Sequence, residues 1–235
     1  MTPKLITLDA AGTLVNVRWS PALLARQCIE NLDLPLDADE SSQRFSAMLR
    51  SRWAAYSEVN MLRSEVEGDL FWHRLCADWL VDRNVPSEKL ETLVAEVWRL
   101  LYGADQSFFS LYTDVVPALD RLKQTGIPLA VISNWDYSLH RILRMLGIYD
   151  WFDYVIASLE EGFEKPDPRI FQLALDRFGI EACDALHVGD DARDDHGGAQ
   201  SIGMRSLLID RSRHNPEAPY IASLMDIRES AAWTN

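Results

Sequence analysis

Cysteine is scarce. Cys28, Cys76 and Cys183 lie far apart and no C-x-x-C spacing occurs. A disulfide framework and a thiolate zinc site are thereby excluded, and reduced, buried thiols are the expectation. Basic residues are also in short supply, 23 against 36 acidic, for a net charge of −13. Non-specific nucleic-acid binding needs clustered Lys and Arg, so that class falls away, whereas a small anionic substrate at a local positive site does not. The acidity itself reads as a solvated surface. No apolar run approaches the ~18 residues of a membrane span, and no charged leader precedes a signal-like stretch. A cytoplasmic location with no membrane partner is therefore expected. Internal repeats and low-complexity tracts are absent, and no lysine occurs between Lys4 and Lys89.

What is present is a strand–helix alternation. "KLITLDAAGTLV" (4–15) opens with an apolar run that ends in Asp9. From about residue 114 the pattern is regular. "DVVPALDRLKQTG" reads as a helix with Pro117 in its first turn and Gly126 at its end, and "IPLAVIS" as a buried strand. "YSLHRILRMLG" sets Leu139, Ile142, Leu143 and Leu146 at helical spacing. "DYVIAS", "DALHVGD" and "RSLLID" read as further strands. "DPRIFQLALDRFG" reads as a helix ending at Gly179, and "DDHGGAQSIGM" as a turn with a short helix. Alternation of this kind implies an α/β fold with a doubly wound parallel sheet. From Ser212 onward a loop and one short helix are expected.

Residues 16–112 read differently, as helices with almost no strand signal. Ser20 and Pro21 open the first as N-cap and first helical residue. Phe45, Met48, Leu49, Trp53 and Tyr56 share one face of the next, and Ser87 and Gly103 suit the caps of the last. The expectation is a core domain of residues 1–15 and 113–235, with an all-helical cap of residues 16–112 folded over the sheet edge where Asp9 lies. The cap's many aromatics read as its own core, and Arg50, Arg52 and Arg63 as solvated or as contacts for a second anionic group.

Four segments place reactive groups at or after strand ends: Asp9-Ala10-Ala11-Gly12-Thr13, Ser133-Asn134, Lys165 in "EKPDPRIF", and "HVGDDARDD" with Asp190, Asp191, Asp194 and Asp195. Open α/β sheets put their active sites at that edge. A carboxylate nucleophile, a hydroxyl, a lysine and a carboxylate cluster make a phosphate site with a hard cation. Mg²⁺ prefers a few carboxylates, water and substrate oxygen, and lysine neutralises phosphoryl oxygens as a point charge.

With these four motifs in order along the chain, the sequence resembles the haloacid dehalogenase superfamily of hydrolases. "SNWDYSLHRILRMLGI", "EKPDPRIF" and "ALHVGDDARDDHGGAQSIGM" resemble its subfamily with a helical cap after the first strand, and more narrowly the haloacid dehalogenase-like hydrolase domain-containing 3 group. The resemblance implies a Rossmann-like core and phosphoryl transfer from a small phosphorylated substrate through an aspartyl-phosphate on Asp9. It implies that Ser133, Asn134, Lys165 and the backbone around Ala10 and Ala11 hold the phosphoryl group. It implies Mg²⁺ on Asp9, the carbonyl of Ala11, Asp190 and Asp195, with Asp194 as the near alternative to Asp195. A monomer and a dimer are both compatible.

Ala11 departs from the pattern. Phosphatases of the family usually carry aspartate here, which protonates the leaving group. One reading is a slow phosphatase, with His73, Asp136 or His196 as substitute acids. A phosphonatase reading also fits D-x-A-G-T but needs a cap lysine, and Lys89 is a poor match. A 2-haloacid dehalogenase usually shows D-x-Y-G-T and lacks the Gly-Asp-Asp present here. A binding module without catalysis would have little reason to keep Asp9, Lys165 and Asp190. The first reading is preferred.

Overall fold

The computed structural model describes residues 2–82, 85–103, 108–214 and 217–227. The chain begins with β1 (Leu5–Leu8) and the short β2 (Val15–Val17). Helices follow: α1 (Pro21–Asn31), α2 (Ala38–Ser51), α3 (Trp53–Met61), α4 (Glu65–Asp82) and, after a 3₁₀ turn at Ser87–Lys89, α5 (Leu90–Tyr102). β3 (Phe109–Leu111) leads into the alternating region. That region comprises α6 (Val115–Gln124), β4 (Leu129–Ser133), α7 (Ser138–Met145), β5 (Tyr154–Ala157), α8 (Ser158–Glu161), α9 (Pro168–Phe178), β6 (Ala185–Gly189), α10 (Gly198–Ser201), β7 (Arg205–Ile209) and β8 (Tyr220–Ile221).

Two compact units result, one of Met1–Asn16 with Leu111–Asn235 and one of Val17–Ser110. β2 and β3 pair as a separate two-stranded sheet, and the division between the units falls within them.

The first unit is an α/β fold around a six-stranded sheet in the order β5-β4-β1-β6-β7-β8, every pair parallel. All four residues of β1 are buried, as are all five of β4 and of β6. Strands covered on both faces read as unbroken apolar runs rather than alternating ones. From β1 the order runs outward through β4 to β5, then jumps back across β1 to β6. The strand order thus reverses beside β1, and the carboxyl ends at such a reversal form a crevice. Asp9 follows β1, Ser133 ends β4 and Asp190 follows β6, so topology alone brings three motifs to that edge.

α9 shows how the sequence secures one face. The Asp167 side chain accepts from Arg169 N, Pro168 occupies the first turn and Gly179 at φ +65° ends the helix. Between these signals Ile170, Phe171, Ala174 and Leu175 pack with Leu5, Ala130, Ile132 and Ile156. Phe171→Ala is expected to cost about 3–5 kcal/mol, read as a lower urea midpoint, because the ring is fully buried against these neighbours.

The helical unit buries Phe45, Tyr56, Trp72 and Trp79. The Phe45 ring meets Trp79 edge-on at 5.4 Å, and Tyr56 meets Trp72 edge-on at 6.0 Å. Trp72 Nε1 donates to Tyr56 Oη and Trp79 Nε1 to the Ser41 carbonyl, which satisfies both indoles. Ser20 Oγ accepts from Leu23 N and caps α1, with Pro21 in the first turn.

Some local expectations change. The stretch read as one helix through Tyr56 breaks at Arg52, with backbone at φ −105°, ψ 10°, and divides into α2 and α3. Trp53 is half exposed rather than part of the buried face. Cys28 and Cys76 are buried free thiols, but Cys183 is exposed. The region after Ser212 adds β8 to the sheet before a 3₁₀ turn at Leu224–Asp226. The Ser87 side chain, expected as a cap, and residues 215–216 and 228–235 of the tail lie outside the described residues. No described helix is long and apolar enough to cross a membrane.

Candidate active site

Asp9 leaves β1 into a tight loop. Leu14 N and Val15 N both donate to the Ala10 carbonyl, and Gly12 N donates to the Val15 carbonyl. Gly12 sits at φ +79°, and a Cβ there would lie 2.2 Å from Asp190 Oδ2. Only glycine allows both the turn and the close approach of the two motifs. Arg211, which no motif flagged, donates to the Gly12 and Thr13 carbonyls at 3.0 and 2.8 Å and pairs with Asp114. Its guanidinium lies 3.8 Å from the centre of the Tyr112 ring.

Lys165 stands at the centre of the cluster. Its Nζ donates to Asp9 Oδ1 at 2.6 Å, to Asp195 Oδ1 at 2.5 Å and to the Ile132 carbonyl at 3.0 Å. Ser133 Oγ donates to the same Asp9 oxygen at 2.9 Å. Asn134 holds the lysine backbone reciprocally: Lys165 N donates to Asn134 Oδ1 and Asn134 Nδ2 to the Lys165 carbonyl. Its side-chain amide is thus engaged with the peptide of the residue that bridges the carboxylates.

The "VGDDARDD" segment explains why Asp195, not Asp194, joins the cluster. Asp191 caps it by accepting from Arg193 N and Asp194 N, and residues 192–197 then wind as a π-helix. The wider winding carries Asp195 inward, where it is buried; its Oδ2 accepts from Asp191 N at 3.0 Å. Asp194 stays partly exposed, with Asn134 Nδ2 at 3.5 Å. Carboxylate oxygens of Asp9, Asp190 and Asp195 all lie within 4.8 Å of one another.

Electrostatics follow from this crowding. Burial, with repulsion from Asp195 and Asp190, pushes the Asp9 carboxyl up to about 6 against the pull of Lys165. Burial and Asp195 also raise Asp190. Burial opposes ionisation of Asp195, yet hydrogen bonding from His187 and the charge of Lys165 hold it far below the usual carboxylate range. Lys165 is raised because Asp9 and Asp195 outweigh its desolvation. One ammonium bridges two of the three carboxylates, and that donor set, two of its members buried, suits a small hard cation.

His187 and Thr7 were missed by motif reasoning. They are register partners on β6 and β1, both fully buried. His187 Nδ1 lies 2.8 Å from Thr7 Oγ1 and Nε2 lies 2.9 Å from Asp195 Oδ1. The available signal was a polar residue inside each of two otherwise apolar runs, "LITL" and "ALHV". The substitute acids have other partners. Asp136 accepts from Ser138 N, His196 Nδ1 lies 2.7 Å from Ser206 Oγ, and His73 lies 3.5 Å from Glu91 within the helical unit. Lys89 ends the 3₁₀ turn before α5.

Gly189 is the second glycine that the geometry requires. A Cβ there would fall 2.0 Å from Asp195 Cγ. Gly189→Ala is expected to cost about 1–3 kcal/mol in denaturant unfolding, because either Asp195 leaves its donors or β6 bends.

Comparison with known proteins gives the family. A family model described as haloacid dehalogenase-like hydrolase matches residues 3–203. Haloacid dehalogenase-like hydrolase domain-containing protein 3 of Bos taurus is 37% identical over 216 residues, 88% of this chain and 81% of that protein. Its Mus musculus counterpart is 40% identical over 112 residues, a stretch covering 48% of this chain and 40% of that protein's length. A phosphoserine phosphatase of Thermus thermophilus is 29% identical over 184 residues, 77% of this chain and 72% of that protein. Among solved structures, a 2-haloacid dehalogenase from Pseudomonas syringae superposes with TM-score 0.64 at 26% identity, covering 95% of both chains. A haloacid dehalogenase-type phosphatase from Thermococcus onnurineus superposes with TM-score 0.61 at 25% identity, covering 96% of this chain and 95% of that one. With its motif residues gathered at one sheet edge and its family model spanning most of the length, the chain belongs to the haloacid dehalogenase-like hydrolases.

Proposed function

We propose that the protein is a phosphatase for a small phosphorylated metabolite, acting through an aspartyl-phosphate on Asp9, with the helical insertion of residues 16–112 as its cap. The observation that carries this reading is the Lys165 ammonium bridging Asp9 and Asp195 within a cluster of three carboxylates. A dehalogenase displaces halide from carbon and needs no such acidic trio. The trio fits Mg²⁺: Asp9, Asp190 and Asp195, with the Ala11 carbonyl, would hold it. Bound there, the cation would offset repulsion between Asp9 and an anionic ester and stabilise charge on the transferring group.

The chain's own residues supply the rest. Ser133 and Lys165 both donate to Asp9 Oδ1, which fixes the rotation of the carboxylate for in-line attack. Asp9 adds to phosphorus as the ester P–O bond breaks, and the departing oxygen takes a proton. Ala11 offers none, so that proton comes from solvent in this reading, and turnover is slow for poor leaving groups. Water then cleaves the acyl phosphate and restores Asp9. Ser133, Lys165 and the backbone at Ala10 and Ala11 are assigned to the phosphoryl oxygens, and Asn134 sets the lysine in place.

A panel of phosphorylated metabolites with Mg²⁺ tests the reading by release of inorganic phosphate. Release that disappears with chelator supports it. Turnover of a 2-chloro acid in chelator would instead place the chain with the dehalogenases. A pH dependence is expected as well. The nucleophile and ligand is ionised Asp9, whose carboxyl titrates at about 6 without metal. Mg²⁺ affinity should therefore fall as pH drops through about 6, and the break in turnover should lie at or below it, because bound cation favours the carboxylate. Calorimetric Mg²⁺ affinity that is flat between pH 5 and pH 8 would contradict this assignment.

A further inference from the structure

An ammonium has three N–H donors. All three of Lys165 are committed to protein acceptors: Asp9 Oδ1, Asp195 Oδ1 and the Ile132 carbonyl. A lysine in this state has none left for a substrate. To meet a phosphoryl oxygen it must withdraw one. Withdrawal from Asp195 would take one donor from its buried Oδ1, which is costly unless another donor holds that oxygen.

That other donor is in place. His187 Nε2 lies 2.9 Å from the same Asp195 oxygen, Oδ1, that accepts from Lys165. The ring is fully buried, with the Phe171 ring edge-on at 5.1 Å between centroids, so it has little room to turn. An ionised carboxylate only accepts, so this contact requires the proton on Nε2. On the other side of the ring the Thr7 hydroxyl lies 2.8 Å from Nδ1 and 3.5 Å from the Leu186 carbonyl, so the imidazole is held at both nitrogens. The register of β1 against β6 sets Thr7 opposite His187 and makes the pair a property of the sheet itself.

We infer that His187, oriented by Thr7, is a positioning residue that keeps Asp195 hydrogen-bonded while Lys165 turns a donor from it to the phosphoryl oxygens of the substrate. The inference deepens the phosphatase reading and rests on it. Ser133 plays the matching part at Asp9, where its hydroxyl donates to the oxygen that Lys165 also holds. Each carboxylate bridged by the lysine therefore has a second donor on the same atom.

The test uses the full chain with Mg²⁺ and inorganic phosphate as probe. Phosphate affinity is measured by calorimetry for the wild type, H187Q and H187L, together with kcat and KM on whichever ester the panel identifies. H187L, which has no donor, is expected to bind phosphate about 10-fold or more weakly, the worth of one charge-assisted hydrogen bond. H187Q, whose amide can donate to Asp195, should recover to within about 3-fold of wild type, and kcat/KM should follow the same order. Equal values in wild type and H187L, or equal losses in both variants, would overturn the inference by reducing His187 to packing. Nitrogen NMR of histidine-labelled wild type needs no variant to fold. A ring protonated at Nε2 supports the inference, and a proton on Nδ1 alone overturns it. A wild type that binds no phosphate and releases none from any ester fails the phosphatase reading itself. Wild-type turnover with identical variants fails only the role of His187.

Discussion

Asp9→Asn is expected to reduce phosphate release by at least about 10⁴-fold, to background. The amide oxygen can still accept from Ser133 and Lys165, so the geometry around position 9 survives, but an amide oxygen does not form the acyl phosphate. The substitution also removes one of three carboxylates that crowd the site, and with it one ligand for a cation. Mg²⁺ affinity should fall together with turnover. Circular dichroism and an unfolding curve separate this from misfolding, since the core residues of β1 are untouched. Unchanged turnover in purified Asp9→Asn protein would mean that another residue is the nucleophile.

Ala11→Asp is expected to act in the opposite direction. Ala11 stands two residues beyond Asp9, partly exposed, in the loop closed by the bonds to the Ala10 carbonyl. A carboxyl there restores the proton donor and acceptor that the first motif otherwise lacks. General acid–base help is worth about 10²–10⁴-fold, so kcat on alkyl phosphates should rise by about 10²-fold or more. The gain should shrink on aryl esters whose leaving groups need little protonation, and that contrast identifies acid catalysis rather than tighter binding. A steep dependence of the wild-type rate on leaving-group pKa, flattened in the variant, is the kinetic signature. No gain in an already inactive protein would favour a binding module over an enzyme.

These two residues also mark how far sequence patterns reach. Asp9, Ser133 and Asp190 follow apolar runs, and a run that is buried on both faces belongs to a parallel sheet whose carboxyl edge carries the chemistry. Their convergence needed only the order of strands and helices. The break at Arg52 and the addition of β8 were beyond it. A helical period continues smoothly through a one-residue kink, and a two-residue strand has no period to read.

The sequence by itself determined which groups stand at or after the strand ends: a carboxylate at position 9, one hydroxyl, one lysine, a carboxylate cluster and no proton donor at position 11. These are matters of residue identity at strand ends, and identity is what a sequence states. Only the tertiary structure decided which of Asp194 and Asp195 turns inward, because that depends on π-helical winding after Asp191. It alone revealed that Asn134 grips the lysine backbone, that Arg211 clamps the loop after Asp9, and that Thr7 and His187 back Asp195 from within the sheet. Asn134 and Lys165 stand 31 residues apart in sequence, Arg211 and Gly12 199, and Thr7 and His187 180. Hydrogen bonds hold over about 3 Å and have no periodic signature along the chain, so only folding shows which groups come within reach.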